Sequence, residues 1–280
     1  MNPYFRSAFI GFCFLLSGCY NDLELDFPEH KSLLVVNSVF NPDSLWKVNL
    51  TASRGLPKLD PFPVVEGATV LLYRGQQRVD SLVYRGQGIY GSRHSKPEVP
   101  GPYTIRVSAP GYPAAEATDV LPARPAVQGV EVDRSGVGLP EPRVRVTFAL
   151  NDLKAEENYY FLYLYYPQEH QGRSFLSPLS FNFADPLQET YDFQNRRLFP
   201  DKTFNGKNHR LRVEYRYWEG QEVEVRLGQV SKAYYDYFRS KYLHQVHQDN
   251  VLTEPIQVSN NIRGGYGVFA GFNVWEYRIE

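Results

Sequence analysis

The chain has 280 residues and sets 30 Lys and Arg against 31 Asp and Glu, a formal net charge of −1, so no bulk electrostatic attraction draws it to nucleic acid. Its 21 Tyr, 18 Phe, 20 Pro and 21 Gly describe many short strands broken by turns, because aromatic residues suit a pleated, half-buried surface and Gly and Pro interrupt it. The two cysteines, Cys13 and Cys19, both lie near the start, which leaves the remaining chain without a disulfide framework or a cysteine metal site.

Arg6 gives a positive start, Ala8 to Leu16 form a short apolar run, and Leu16, Ser17 and Gly18 precede Cys19. That is the form of a secretory signal ending in a cysteine, and the run falls well short of the ~20 residues needed to span a bilayer. The segment resembles the lipobox of bacterial lipoproteins. The resemblance implies that residues 1–18 are removed, that Cys19 is lipidated, and that two or three acyl chains anchor the protein, each buried CH₂ contributing ~0.8 kcal/mol. Residues 19–30 form an acidic tether with Asp22, Glu24, Asp26 and Glu29. It reads as a solvated linker, and it also resembles the surface-export signals of Bacteroidota lipoproteins.

Residues 31–121 are predicted to form a β-sandwich domain of about seven short strands. SLLVVNSVF and WKVNLTA are strands around an NPDS turn, GATVLLYR and RVDSLVYR follow with Gly75, Gln76 and Gln77 between them, and PGPYTIRVSAPGY adds another strand between Gly/Pro turns. The last segment resembles the closing strand of carboxypeptidase-regulatory and transthyretin-like sandwiches, which implies an Ig-like or transthyretin-like architecture. Gly86 to Gly91 match GxGxxG, but the proline-rich SRHSKPEVPGP that follows cannot form the helix a pyrophosphate site requires. Pro122 and Pro125 then mark a linker.

Residues 126–280 are predicted as a second β domain carrying one α-helix. VQGVEVDR and RVRVTFAL alternate as strands, and HRLRVEYRYW with QEVEVRLGQV reads as a hairpin with Glu219 and Gly220 at its tip. In NYYFLYLYYP neither face is polar, so the strand is either buried on both sides or displays Tyr163 and Tyr165 to a ligand. Ser231 is positioned to cap a helix over residues 232–247, with Tyr234, Tyr235, Phe238, Tyr242 and Val246 on one stripe. His244 and His247 point away from that stripe, toward solvent. Gly264, Gly265, Gly267 and Gly271 suit tight turns or close backbone approach beside short strands; a binding role for Gly264, Gly265 and Tyr266 is the alternative.

No GxSxG, HExxH or acidic calcium loop is present, no acid/base pair can be nominated, and no cofactor, metal site or enzymatic activity is expected. The basic segments around Arg74 to Lys96 and Lys207 to Arg216 read as solvated sheet faces. LLVVNSVFNPDS, FPVVEGATVLLY, PGPYTIRVSAPGY, SKAYYDYF and SNNIRGGYGVFAGF, with the lipobox, resemble the Bacteroidota lipoproteins grouped as domain of unknown function 4249. The resemblance implies an outer-membrane, surface-exposed lipoprotein that is an accessory or substrate-capturing partner of a TonB-dependent receptor, acting on an unidentified nutrient ligand. A surface adhesin, and a hydrolase whose residues meet only in the fold, stand as alternatives.

Overall fold

A computed structural model describes residues 30–55, 61–135, 137, 138, 140–152, 156–185, 187, 189–193, 195–248 and 254–280. The alternating segments after residue 31 fold as strands β1 (Leu34–Phe40), β2 (Lys47–Ala52), β3 (Thr69–Arg74), β4 (Gln77–Gly86), β5 (Ile89–Gly91), β6 (Gly101–Ser108) and β7 (Ala115–Leu121). β1 and β2 are antiparallel, and Asn41 shapes the turn between them by accepting from the Asp43 N–H at 2.9 Å. β3 and β4 make the expected hairpin. Their buried alternate residues, among them Leu34, Val48, Leu50, Leu72, Tyr90 and Ile105, close around Trp46, which is 2% exposed.

The second half contributes β8 (Val127–Asp133), β9 (Arg143–Asn151), β10 (Tyr159–His170), β11 (Arg173–Leu179), β12 (Phe181–Phe183), β13 (Tyr191–Phe193), β14 (Arg196–Pro200), β15 (Asn208–Arg216), β16 (Val223–Val230), helix α1 (Lys232–His247) and β17 (Gly265–Ile279). The chain is mainly β, with a β-sandwich and a single helix among the described residues. β12, β15, β9 and β8 form a four-stranded sheet, and the remaining strands join one larger sheet in the order β13-β14-β10-β16-β17-β1-β2-β5-β4-β3-β6-β7, with β11 paired to β10. The four-stranded sheet packs Val144, Val146, Phe148, Leu211 and Val213 against Leu162, Leu164, Val225 and Leu227 of the larger one. Helix α1 covers the opposite face through Tyr234 and Tyr235. The helix starts where Ser231, in extended conformation, accepts the Tyr234 N–H through its hydroxyl.

Three features depart from the sequence reading. β15 and β16 are not a hairpin: β15 pairs with β9 and β12, and β16 with β10 and β17. Their apolar faces meet across the layers instead of lying edge to edge, because a period of two states which side chains are buried and not which strand lies alongside. The glycine-rich ending is also not a set of turns beside short strands but one strand of 15 residues. On α1, Val246 is 56% exposed, since the returning chain and not the sheet meets the end of the helix. The His244 ring is half-buried there with its Nδ1 2.7 Å from the Ile256 carbonyl oxygen, and Ser240 accepts the Ser259 N–H.

β17 serves both halves. Gly265 to Gly271 pair in parallel with β1, and Phe272 to Ile279 pair antiparallel with β16. At the changeover, the Gly271 N–H donates to Asp119 Oδ2 at 2.8 Å and its carbonyl accepts from the Ser231 N–H at 2.9 Å. β7 lies so close that a Cβ on residue 271 would fall 2.3 Å from the Val120 carbonyl oxygen. Gly271→Ala is expected to lower the unfolding free energy by about 3 kcal/mol, read as a shift in urea midpoint, because the obstruction is backbone and cannot swing aside.

Burial raises the Asp119 carboxyl to about 6, against the lowering effect of bonds from Ser231, Gly271 and Val120. The unfolded carboxyl titrates near 3.9, so the folded state holds the extra proton between about pH 4 and 6 and stability falls as pH rises through that window. The contribution lost by pH 7 is on the order of 2 kcal/mol after allowance for partial solvent screening. Urea unfolding across this range should show the slope, and Asp119→Asn should flatten it.

Candidate functional site

The aromatic strand β10 is apolar on both faces because it has a layer on each side. Tyr160, Leu162 and Leu164 enter the core between the sheets, and Tyr159, Phe161 and Tyr163 face the helix. The Tyr159 ring stacks on Tyr235 at 4.5 Å. Phe161 lies directly over Gly228 of β16, where a Cβ would come within 2.2 Å of its ring, so the glycine makes room for the ring. Past the helix, Tyr163 and Tyr165 continue the row with centroids 4.6 Å apart. Tyr163 is 6% exposed and Tyr165 is half-buried.

Two arginines flank this pair and are compensated differently. Arg226 sits opposite Tyr163 in the ladder and is paired with Glu224 at 2.8 Å and Glu276 at 3.1 Å. Arg196, from β14, places its guanidinium 5.4 Å from the Tyr163 ring centroid and 5.9 Å from that of Phe161. Its Nη1 donates to the Tyr234 hydroxyl at 3.2 Å. Among the described residues no carboxylate pairs with it within 4.0 Å. A half-buried charge usually has an ionic partner, and the ring faces supply only part of that compensation.

Burial raises the Tyr163 hydroxyl above its ordinary value, with Arg226 and Arg196 opposing it, and burial raises Tyr234 in the same direction. Both therefore stay protonated and act as hydrogen-bond donors. A planar guanidinium fork with free N–H groups beside phenolic donors is suited to a carboxylate or phosphate. The sequence reading nominates the tyrosines and misses Arg196, Arg226 and Glu224. The one available signal is in VEVRLG, where Glu224 and Arg226 share the face opposite Val223, Val225 and Leu227.

The nominated glycines lie elsewhere. At a strand rise of ~3.3 Å, Gly265 is roughly 35 Å along β17 from Glu276 at the shelf, so the structure does not bring the two groups together. A Cβ at Gly264 would meet the Ala114 carbonyl oxygen at 2.3 Å, and one at Gly265 the Leu34 carbonyl oxygen at 2.5 Å. Asn261 brackets Phe269, donating to its carbonyl and accepting its N–H, while Asn260 donates to the Gly265 carbonyl. SNNIRGG thus closes the chain onto β17 by backbone contact, with Tyr266 left 45% exposed. Leu16, Ser17, Gly18 and Cys19 lie outside the described residues.

Two carboxylates also come together. Asp152 and Asp201, 4% and 0% exposed, share Asn158, which donates to both, and burial raises Asp201. Asp152 further accepts from Tyr160 and the Gly206 N–H. Sealed from solvent and committed to these groups, the pair holds loops together. Among the described residues no group of three or more His, Cys, Asp or Glu is placed to hold a metal ion. The basic segment after Lys207 is largely paired, with Arg210 on Glu131 and Arg212 on Asp185, exposed contacts of small energy.

The contrast between the arginines is measurable. Arg226→Met strands Glu224, which is 7% exposed, and should cost about 2 kcal/mol or more in chemical unfolding. Arg196→Met strands no carboxylate and should stay within about 1 kcal/mol of the parent.

Two solved structures are similar to parts of the chain. The three N-terminal domains of the Highly Immunogenic Outer Capsid protein (Hoc) of bacteriophage RB49 are 12% identical with a TM-score of 0.26, over 72% of this chain and 64% of that one. A DUF3823 family protein from Parabacteroides merdae ATCC 43184 is 12% identical with a TM-score of 0.22, over 72% of this chain and 92% of that one. Likenesses this distant carry nothing about ligand or partner. No curated protein matches the chain. The profile described as Domain of unknown function (DUF4249) matches residues 20–278, nearly everything after Cys19, and the chain belongs to that family.

Proposed function

We propose that this protein is a non-enzymatic, lipid-anchored accessory of a TonB-dependent outer-membrane transporter, held at the cell surface by Cys19, that captures the anionic end of a nutrient ligand. The observation that carries the ligand reading is Arg196, a half-buried guanidinium seated on Phe161 and Tyr163 without a carboxylate partner among the described residues. The lipobox ending at Cys19 and the acidic tether behind it support the anchor and the address. The resemblance to Bacteroidota transporter lipoproteins supports the partner. With capture as its task, the protein has to hold its ligand and release it unchanged, and a preformed shelf of rings and N–H donors does this at little ordering cost.

The full lipoprotein, affinity-purified from membranes in mild detergent, should bring down a large β-barrel. Repeated recovery alone would count against the partnership, and resistance to protease added to intact cells would count against surface display. Arg196→Met should leave barrel recovery unchanged and lower ligand uptake about tenfold, the scale expected when a charged anchor is removed from a binding site.

A further inference from the structure

The second sandwich is open at one end. Its outer sheet has four strands and ends at β8, and Tyr277 of β17 emerges past that edge 36% exposed. The neighbouring Trp275 ring lies 6.0 Å away and within 8° of parallel. At the same end the chain crosses from β15 to β16 through Trp218, 48% exposed, with the Arg216 guanidinium 6.0 Å from its ring centroid.

Two cavities adjoin here. One, of about 300 Å³, is lined by Arg134, Tyr215, Tyr217, Gln221 and Glu222. The other, of about 420 Å³, is lined by Val130, Val132, Arg134, Tyr277 and Arg278, and Arg134 and Ile279 are common to both walls. Together they reach the size of an ordinary small-molecule site.

We propose that this groove binds a neutral oligosaccharide, independently of the Arg196 shelf. The Gln221 Oε1 is buried and accepts no hydrogen bond, an unusual state for a polar atom. Rotation about its terminal torsion, which is soft, turns that acceptor toward the cavity, where a hydroxyl can donate to it. The Tyr215 and Tyr217 hydroxyls and the Arg134 guanidinium provide donors, and Glu222 provides a further acceptor. This mixture matches a ligand whose every polar group both donates and accepts. The exposed aromatic faces of Trp218 and Tyr277 are surfaces on which the C–H face of a pyranose ring stacks. Arg134 and Arg278 are balanced by Glu222 and Glu280, so charge selects neither an anion nor a cation.

A peptide strand added to β8 is the competing occupant, and the edge is poorly formed for it. The β8 register shifts between Gln128 and Glu131, and Gly129 has φ of +59°, so the row of edge donors and acceptors is broken.

The full chain in a zwitterionic detergent, chosen because sugar-headed detergents would compete, can be titrated with maltohexaose, cellohexaose, xylohexaose and hexa-alanine while tryptophan fluorescence and calorimetric heat are followed. At least one oligosaccharide should give a saturable change. Trp218→Ala and Gln221→Leu, at an exposed ring and an unpartnered acceptor, should each weaken it about tenfold with the thermal midpoint unchanged, and Arg196→Met should leave it unaltered. The proposal is overturned by no saturable response to any of the three up to about 10 mM, by equal affinity in the Trp218 and Gln221 variants, or by preferential binding of the peptide.

Discussion

The structure depends on one strand that belongs to two cores, and on the single residue where it passes from one to the other. Gly271 gives its N–H to a carboxylate of β7 and its carbonyl to the residue that caps the helix. The same few atoms therefore fix the closing strand of the first sandwich, the start of α1 and the change of β17 from a parallel to an antiparallel neighbour. Asp119 is held there at the cost of partial desolvation, which is why its carboxyl rises to about 6. Because Phe269 lies in the first core and Val274 packs under the helix, the two halves share a continuous sheet and cannot lose this strand separately.

The candidate shelf follows from that arrangement. With the four-stranded sheet on one side of β10 and α1 on the other, six consecutive residues of the tyrosine strand are buried. Only beyond the helix does the row reach solvent, and there β14 and β16 bring in Arg196 and Arg226. Glu224 and Glu276 neutralise one of these and the other rests on aromatic rings. A cation whose compensation comes mostly from ring quadrupoles retains capacity for an anion, whereas a fully paired one does not.

Much of the local structure is readable from residue order. The alternation in LLVVNSVF, the turn chemistry of NPDS, the Ser231 cap and the proline break after Leu121 each act over a few residues, and local rules decide them. The tyrosine strand sits at the limit of that logic. Its pattern shows that neither face is polar, but core and display face look alike until the layers are counted. The glycines of the ending show the same limit, since a need for close backbone approach is evident and the backbone that approaches is not. Gly264 answers to Ala114 and Gly271 to Val120, residues some 150 positions earlier in the chain.

By itself the sequence determined a mainly β protein with one capped helix, a cysteine-free body behind Cys19, and strands whose buried faces are set by period-two patterning. The tertiary structure alone decided that β15 and β16 part into different sheets, that the last strand joins the first in parallel, and that Arg196 lacks a carboxylate where Arg226 has two. The physical reason is that side-chain alternation is a property of one strand, whereas pairing, layering and charge compensation are set by which strands become neighbours, and those contacts join residues far apart in the chain.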